Sequence, residues 1–238
     1  MLKYIGRFYN NALDNIGNKD SFVWYGGRWA QASTAPSRLY KEFSTEGGIH
    51  VPFILKYPGM AEGQIIREFC TVMDIMPTLL DLAGAKKPGV VYNGREVIPM
   101  RGSSWMPYFS GATKAFHDED HVTGWEIIGQ GALRKGRWKI NWVAEPYGIN
   151  DWQLYDLSVD PAETNDLGST HPELLQEMIA HWKVYAKETG VVGLKPEFEE
   201  LGIYDEMDDP RKWMKFDTSG TILRQLKAAK AEKATNAA

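Results

Sequence analysis

Cysteine is almost missing from this sequence: Cys70 stands alone, so no internal disulfide can form. A lone thiol fits a reducing compartment, and equally an exported protein that needs no bridges. An excess of basic charge is missing too. Lysine and arginine total 27 against 31 acidic residues, a net charge of −4 with no basic stripe, which argues against nucleic acid as a partner. No apolar run approaches the roughly 18–20 residues that span a bilayer, so no membrane partner is expected. The opening MLKYIGRFYNNAL lacks the continuous apolar core of a secretory signal, which makes the cytoplasm the expected location of this chain, with the periplasm open to a longer parent protein. There is no internal repeat.

What is present is an ordinary globular composition, 238 residues with 43% apolar and 24% charged, enough to bury a sizeable core. The nine tryptophans are a high count. Core and edge packing accounts for such residues. The alternative is a non-enzymatic module that binds a sugar or aromatic ligand, with Trp125, Trp138, Trp142 and Trp152 as its candidates.

Local patterns predict the elements. Leu2, Ile5, Phe8, Tyr9, Ala12, Leu13 and Ile16 recur at helical spacing over residues 1–20, and 21–50 read as Gly-rich and irregular. Val51 to Tyr57 is a short apolar run closed by Pro58-Gly59, which predicts a buried strand with Pro52 at its first position or on an edge. Asp74 is positioned to cap a helix with Pro77 in its first turn; Ile75, Leu79 and Leu82 line one face and Gly84 is the stop. From about 121 to 157 the apolar period becomes two, with a hairpin turn at Lys135-Gly136 and a further strand at Trp152–Leu157. Asp160-Pro161-Ala162-Glu163 is a turn. Thr170 and Glu173 predict a capping box opening a helix with Pro172 just inside. Its buried stripe is Leu174, Leu175, Met178, Ile179, Trp182 and Tyr185, and Gly190 ends it. Beyond 194 the chain turns charged and reads as a frayed helix or tail. A strand and helix, then an antiparallel sheet, then a helix make α+β or the back end of an α/β enzyme.

Several motifs stand in one order. Lys41-Glu42-Phe43-Ser44-Thr45-Glu46-Gly47-Gly48-Ile49-His50-Val51-Pro52 is followed by Asp74-Ile75-Met76-Pro77-Thr78-Leu79-Leu80-Asp81-Leu82-Ala83-Gly84. Then come Ala132-Leu133-Arg134-Lys135-Gly136-Arg137-Trp138-Lys139, Leu154-Tyr155-Asp156-Leu157, and Asp160-Pro161-Ala162-Glu163-Thr164-Asn165-Asp166-Leu167. Over about residues 20–192 the chain resembles the type I sulfatases, and the bacterial arylsulfatases in particular. The first motif is similar to that family's lysine–EGG–I-R-V-P loop, and the last two to its L-Y-D-L and D-P-x-E-x-x-D-L signature. The resemblance implies an α/β, alkaline-phosphatase-like fold, incomplete in this chain, with a C-terminal antiparallel subdomain and packed helix. It implies domains at 1–114 (the end of the α/β domain), 115–193 (the small sheet with its helix) and 194–238 (a charged tail).

The resemblance also implies sulfuric ester hydrolysis by a formylglycine hydrate made from cysteine or serine in C/S-x-P-S/A-R. The complete enzyme holds a divalent cation, usually calcium, through Asp and Asn side chains, and uses lysine and histidine on the sulfate and leaving oxygen. Lys41 matches the sulfate-binding lysine. A compact ammonium beside a glycine-rich turn suits charge that builds on sulfate oxygens in the transition state. Gly47 and Gly48 would let the backbone turn tightly there, and His50 stands in place of the family's arginine, so these three are loop support. Thr34-Ala35-Pro36-Ser37-Arg38 has the spacing of the nucleophile motif, but threonine takes its first place, and Cys70 lacks the proline and arginine that should follow. The chain therefore reads as the C-terminal portion of an arylsulfatase-like hydrolase. It lacks the nucleophile and metal ligands, is expected to bind no calcium and to be inactive alone, and would need an N-terminal sulfatase segment to reach its sulfate ester. A truncated chain with no function is the remaining alternative. His117-Asp118-Glu119-Asp120-His121 precedes a strand, where a four-residue spacing does not share a face, so a solvated acidic loop is expected there and not a metal site. His171 and His181 read as surface or capping residues.

Overall fold

The computed structural model describes residues 8–22, 26–60 and 63–191. In chain order the elements are helix α1 (Gly26–Thr34), the single turn α2 (Glu46–Ile49), helix α3 (Ile75–Leu82), the ribbon strands β1 (Val91–Tyr92) and β2 (Arg95–Glu96), and the single turn α4 (Met106–Phe109). Strands β3 (Val122–Ile127), β4 (Gln130–Lys135), β5 (Trp138–Trp142) and β6 (Trp152–Asp156) follow, and then helix α5 (Pro172–Thr189). Two compact units result: residues 51–122, and the segments up to His50 together with those from Thr123 onward.

In the second of these units the period-two stretch forms a four-stranded sheet in the order β3-β4-β5-β6. Its turns follow from backbone chemistry. Ile128 and Gly129 both take positive φ, at 50° and 74°, the two-residue geometry that matches strand twist. Gly136, at φ 56°, turns the chain so that Lys135 faces Trp138 across the β4–β5 pair. Antiparallel register sets Leu133 opposite Ile140, and Ile140 opposite Leu154. These three side chains lie on one face and are fully buried. Helix α5 covers that face with Met178 and Ile179. Two glycines let it come close: a Cβ on Gly124 would run into the Tyr185 ring, and one on Gly131 into the Trp182 indole. Trp152 packs against Trp182 at 5.1 Å between ring centroids, and Trp138 against His171 at 5.7 Å. Trp125, Trp138, Trp142 and Trp152 are all half-buried, so the tryptophans serve packing more than an open platform.

Several local expectations are corrected. Helix α5 begins after His171 with no side-chain cap, because the Thr170 hydroxyl donates back to the Leu167 carbonyl instead of forward into the helix. Pro172 does take the first helical position, and Gly190, at φ 70°, ends the helix. Residues 21–50 are not all irregular, since they hold α1 and α2. Of the helix expected over 1–20, residues 1–7 lie outside those described, and the rest is mostly irregular around one 3-10 turn at Leu13–Asn15. The tail over 194–238 lies wholly outside them.

The 51–122 unit departs most from its pattern. Val51 to Tyr57 forms no strand, and Ile54 is 93% exposed. A strand needs a neighbour for its amides, and no described strand pairs with this run. Helix α3 exposes its apolar stripe at Met76, Leu79 and Leu82 and buries Pro77 and Thr78 instead. Thr78 is drawn in by two hydrogen bonds: its hydroxyl donates to the Asp74 carbonyl at 2.7 Å and accepts from the Trp105 amide at 3.0 Å. Trp105 anchors this unit, 5.4 Å from Phe53 and 5.6 Å from Phe116 between rings. Among the described residues no helix is long and apolar enough to cross a membrane.

Truncating Leu154 to alanine removes the central contact between the sheet and α5. A loss of about 2–5 kcal/mol in unfolding free energy is expected, read from urea titration followed by tryptophan fluorescence. Unchanged stability would show that this face is not the core.

Candidate functional site

The face of the sheet turned away from α5 carries polar residues in alternation: Gln130 on β4, Lys139 and Asn141 on β5, Gln153 and Tyr155 on β6. Of these only Gln153 is half-exposed, and water does not cover the rest. Segment 38–48 does, and each polar side chain takes a partner there or in the turn after β6. The Arg38 guanidinium donates to the Tyr155 hydroxyl at 2.7 Å and to Gln153 Oε1 at 3.2 Å. The Gln130 amide donates to the Glu42 carbonyl at 3.3 Å, and the Ser44 hydroxyl to the Gly131 carbonyl at 3.3 Å. Burial, with the Asp166 and Glu163 carboxylates nearby, pushes the Tyr155 phenol up to about 12 despite the Arg38 charge, so it stays a neutral hydroxyl.

At the centre stands Lys139, with no exposed surface at all. Its ammonium sits 2.8 Å from Glu46 Oε1 and 2.8 Å from Glu163 Oε1. Asn141 donates a further bond to Glu163 Oε1 at 3.1 Å, and Glu163 Oε2 accepts the Glu46 amide at 3.0 Å. Sequence reasoning missed Glu46, Lys139 and Glu163 as a group. The signal that would have found them is a lysine and an asparagine on alternate positions of a strand whose other positions are apolar, read beside two glutamates in turns.

The expected site residues fall around this group. Gly47 and Gly48 are indeed where the backbone closes on itself: a Cβ on Gly47 would strike the Arg38 and Leu39 carbonyls, and one on Gly48 the Phe43 and Tyr40 carbonyls. The Gly47 amide donates to the Arg38 carbonyl at 3.0 Å, and the Thr45 hydroxyl to the same oxygen at 2.7 Å. Lys41 lies in the loop closed by these contacts, with its side chain exposed. His50 is exposed, its Nδ1 3.6 Å from Glu46 Oε2. A cavity of about 530 Å³ opens beside the loop, lined by Arg38, Gln153, Tyr155, Glu163 and Asp166 among others, and Lys41 is not part of its lining. Thr34 is structural: its hydroxyl donates to the Leu39 carbonyl at 2.7 Å at the end of α1.

In the 51–122 unit, Asp118, Glu119 and Asp120 form an exposed acidic loop as expected, but the two histidines that flank them turn inward. The His117 side chain is 5% exposed, with Nε2 2.9 Å from Asp74 Oδ2, and its ring stacks on His121 at 3.9 Å. Asp74 is fully buried and does not cap α3 through its side chain. It accepts instead from the Thr71 amide at 2.7 Å and the Ser103 amide at 2.8 Å. Burial alone would raise its pKa; the bonds from His117, Ser103 and Thr71 outweigh that and hold it below the ordinary carboxylate range. Cys70 is half-buried, and burial with the Asp74 charge pushes its thiol up. Among the described residues no three His, Cys, Asp or Glu side chains gather so as to hold a metal ion.

The stacked histidines make stability depend on pH. Burial, and then the charge of His117, hold the His121 imidazole below its ordinary value. The unfolded chain therefore binds a proton that the folded chain resists, so stability is complete above about 6.5 and falls as pH drops below it. His121→Phe keeps a ring on the stack and removes the titration. The fall in urea midpoint between pH 7 and pH 5 is expected to flatten in that variant; an unchanged slope would exclude His121 as its source.

Comparison with known proteins places these features. A family model described as N-sulphoglucosamine sulphohydrolase, C-terminal, matches residues 38–186. An uncharacterized sulfatase of Schizosaccharomyces pombe is 46% identical over 201 residues, 83% of this chain and 36% of that protein. An arylsulfatase of Klebsiella aerogenes is 39% identical over 98 residues, 40% of this chain and 21% of that protein. Among solved structures, Ps i-CgsB is 26% identical with a TM-score of 0.51, covering 63% of this chain and 32% of its own. The chain thus spans about a third or less of the length of these relatives. It belongs to the sulfatase family and carries that family's C-terminal portion, with the four-stranded sheet and packed helix of an alkaline-phosphatase-like fold.

Proposed function

We propose that these residues form the C-terminal portion of a sulfuric ester hydrolase of the arylsulfatase type, and that Lys41 is the group they bring to the sulfate. What carries the reading is the loop itself. Arg38, Glu42 and Ser44 are tied to β6 and β4, Thr45 and Gly47 close back on Arg38, and the exposed ammonium of Lys41 is held out between these fixed points. A loop anchored on both sides of Lys41 gives its backbone a set place, from which the ammonium can reach charge growing on the sulfuryl oxygens as the ester bond breaks. The ammonium is also a point charge with three rotatable donors, which suits a tetrahedral anion better than a planar fork would.

The attacking group and the cation of the complete enzyme would come from polypeptide outside this chain, because neither Thr34 nor Cys70 stands in a competent nucleophile motif. The exposed apolar side chains of the 51–122 unit, among them Val51, Ile54, Ile65, Val72 and Leu79, are the kind of surface such a partner segment would cover. The partner is then an N-terminal sulfatase segment, and the substrate a sulfate ester.

The test is complementation. This chain is co-expressed with the N-terminal two thirds of the S. pombe relative in a host that makes formylglycine, and an aryl sulfate is assayed. The pair is expected to turn over, the chain alone is not, and Lys41→Ala in the pair is expected to lower kcat by about 100- to 1,000-fold. Turnover by the purified chain alone, or an unaffected Lys41→Ala pair, would overturn the reading.

A further inference from the structure

We infer that Lys139 and Glu163 are positioning residues that decide where the Lys41 ammonium stands; the inference rests on the reading of Lys41 given above. Neither residue reaches the sulfate. Both act through Glu46, the residue that closes the Lys41 loop. Lys139 holds the Glu46 carboxylate at 2.8 Å, and Glu163 holds the Glu46 amide at 3.0 Å. Glu46 is thereby gripped at both its side chain and its backbone. The next residues, Gly47 and Gly48, fit so closely against the carbonyls of Arg38, Leu39, Tyr40 and Phe43 that a shift at Glu46 must move the segment holding Lys41.

The arrangement is a latch. Its bolt is one buried cation shared between two carboxylates, one on the loop and one on the turn after β6. Taking the cation away leaves two buried negative charges that repel each other, and the loop glutamate is the one free to leave, because Glu163 is also held by Asn141. The latch and the sheet core are separable: Leu133, Ile140 and Leu154 lie on the opposite face, under α5.

Backbone amide exchange on the full chain tests this, comparing Lys139→Met with a triple variant, Lys139→Met with Glu46→Gln and Glu163→Gln, which removes the buried charge altogether. In both, exchange over residues 38–50 is expected to rise at least tenfold. In the triple variant, exchange over 130–156 and 172–189 should match the parent chain. Unchanged exchange over 38–50, or a rise only in step with the sheet, would overturn the inference. Should Lys139→Met fail to fold, the isosteric Glu163→Gln carries the same comparison. In the complemented enzyme, Glu163→Gln is expected to raise KM about tenfold as well as lower kcat. A fall in kcat with KM unchanged would mean less folded enzyme, and would also overturn it. Selective loosening of the loop in a complex with no sulfate-ester turnover would sink the sulfatase reading of Lys41 and leave the latch standing.

Discussion

A lysine ammonium with no access to water must have counter-charges, because moving a lone ion into the interior costs several kcal/mol even after the protein relaxes. Lys139 meets that requirement with Glu46 and Glu163, 117 positions apart and on different turns. The demand for neutralisation is therefore what brings the Glu-Gly-Gly turn and the Asp-Pro-Ala-Glu turn to one strand. Glu163 takes a left-handed backbone, φ 55°, to present its carboxylate, a conformation that a non-glycine residue holds only when its surroundings insist.

The same constraint explains why this antiparallel sheet is covered on both faces when such sheets commonly leave one face to water. The α5 face is held by apolar contact and is tolerant in kind: side chains of similar volume can substitute. The opposite face is held by matched charges and hydrogen bonds and is specific, since removing one partner strands another. Sequence signatures that look separate along the chain are thus one constellation in space. The EGG loop, the lysine of the strand pair and the D-P-x-E turn are three parts of a single buried ion cluster, and Lys41 is an exposed residue of the loop that the cluster ties down.

The 51–122 unit uses a related device with a buried carboxylate at the node. Asp74 gathers the Thr71 and Ser103 amides and the His117 ring. Here the partners are mostly neutral donors, and the one titratable partner is stacked on a second imidazole. Burial of that second imidazole, His121, is what ties the stability of this stack to acid pH.

By itself the sequence determined the elements whose signals are local. Alternation with a tight turn at Lys135-Gly136 made the β4–β5 hairpin, periodicity made α5, Pro172 and Gly190 bounded it, and motif order identified the family. The two glycines after Glu46 were legible as a tight turn beside a lysine. What only the tertiary structure decided was which polar residues are dry. Period two assigns Lys139 and Asn141 to the polar face of their strand, and nothing local says that the Arg38–Gly48 segment lies over that face. Equally, the apolar runs at 51–57 and along α3 look buried by composition yet stand exposed, because burial requires a covering surface and a strand requires a neighbour to bond. Burial is a property of pairs of segments, and periodicity describes only one segment at a time.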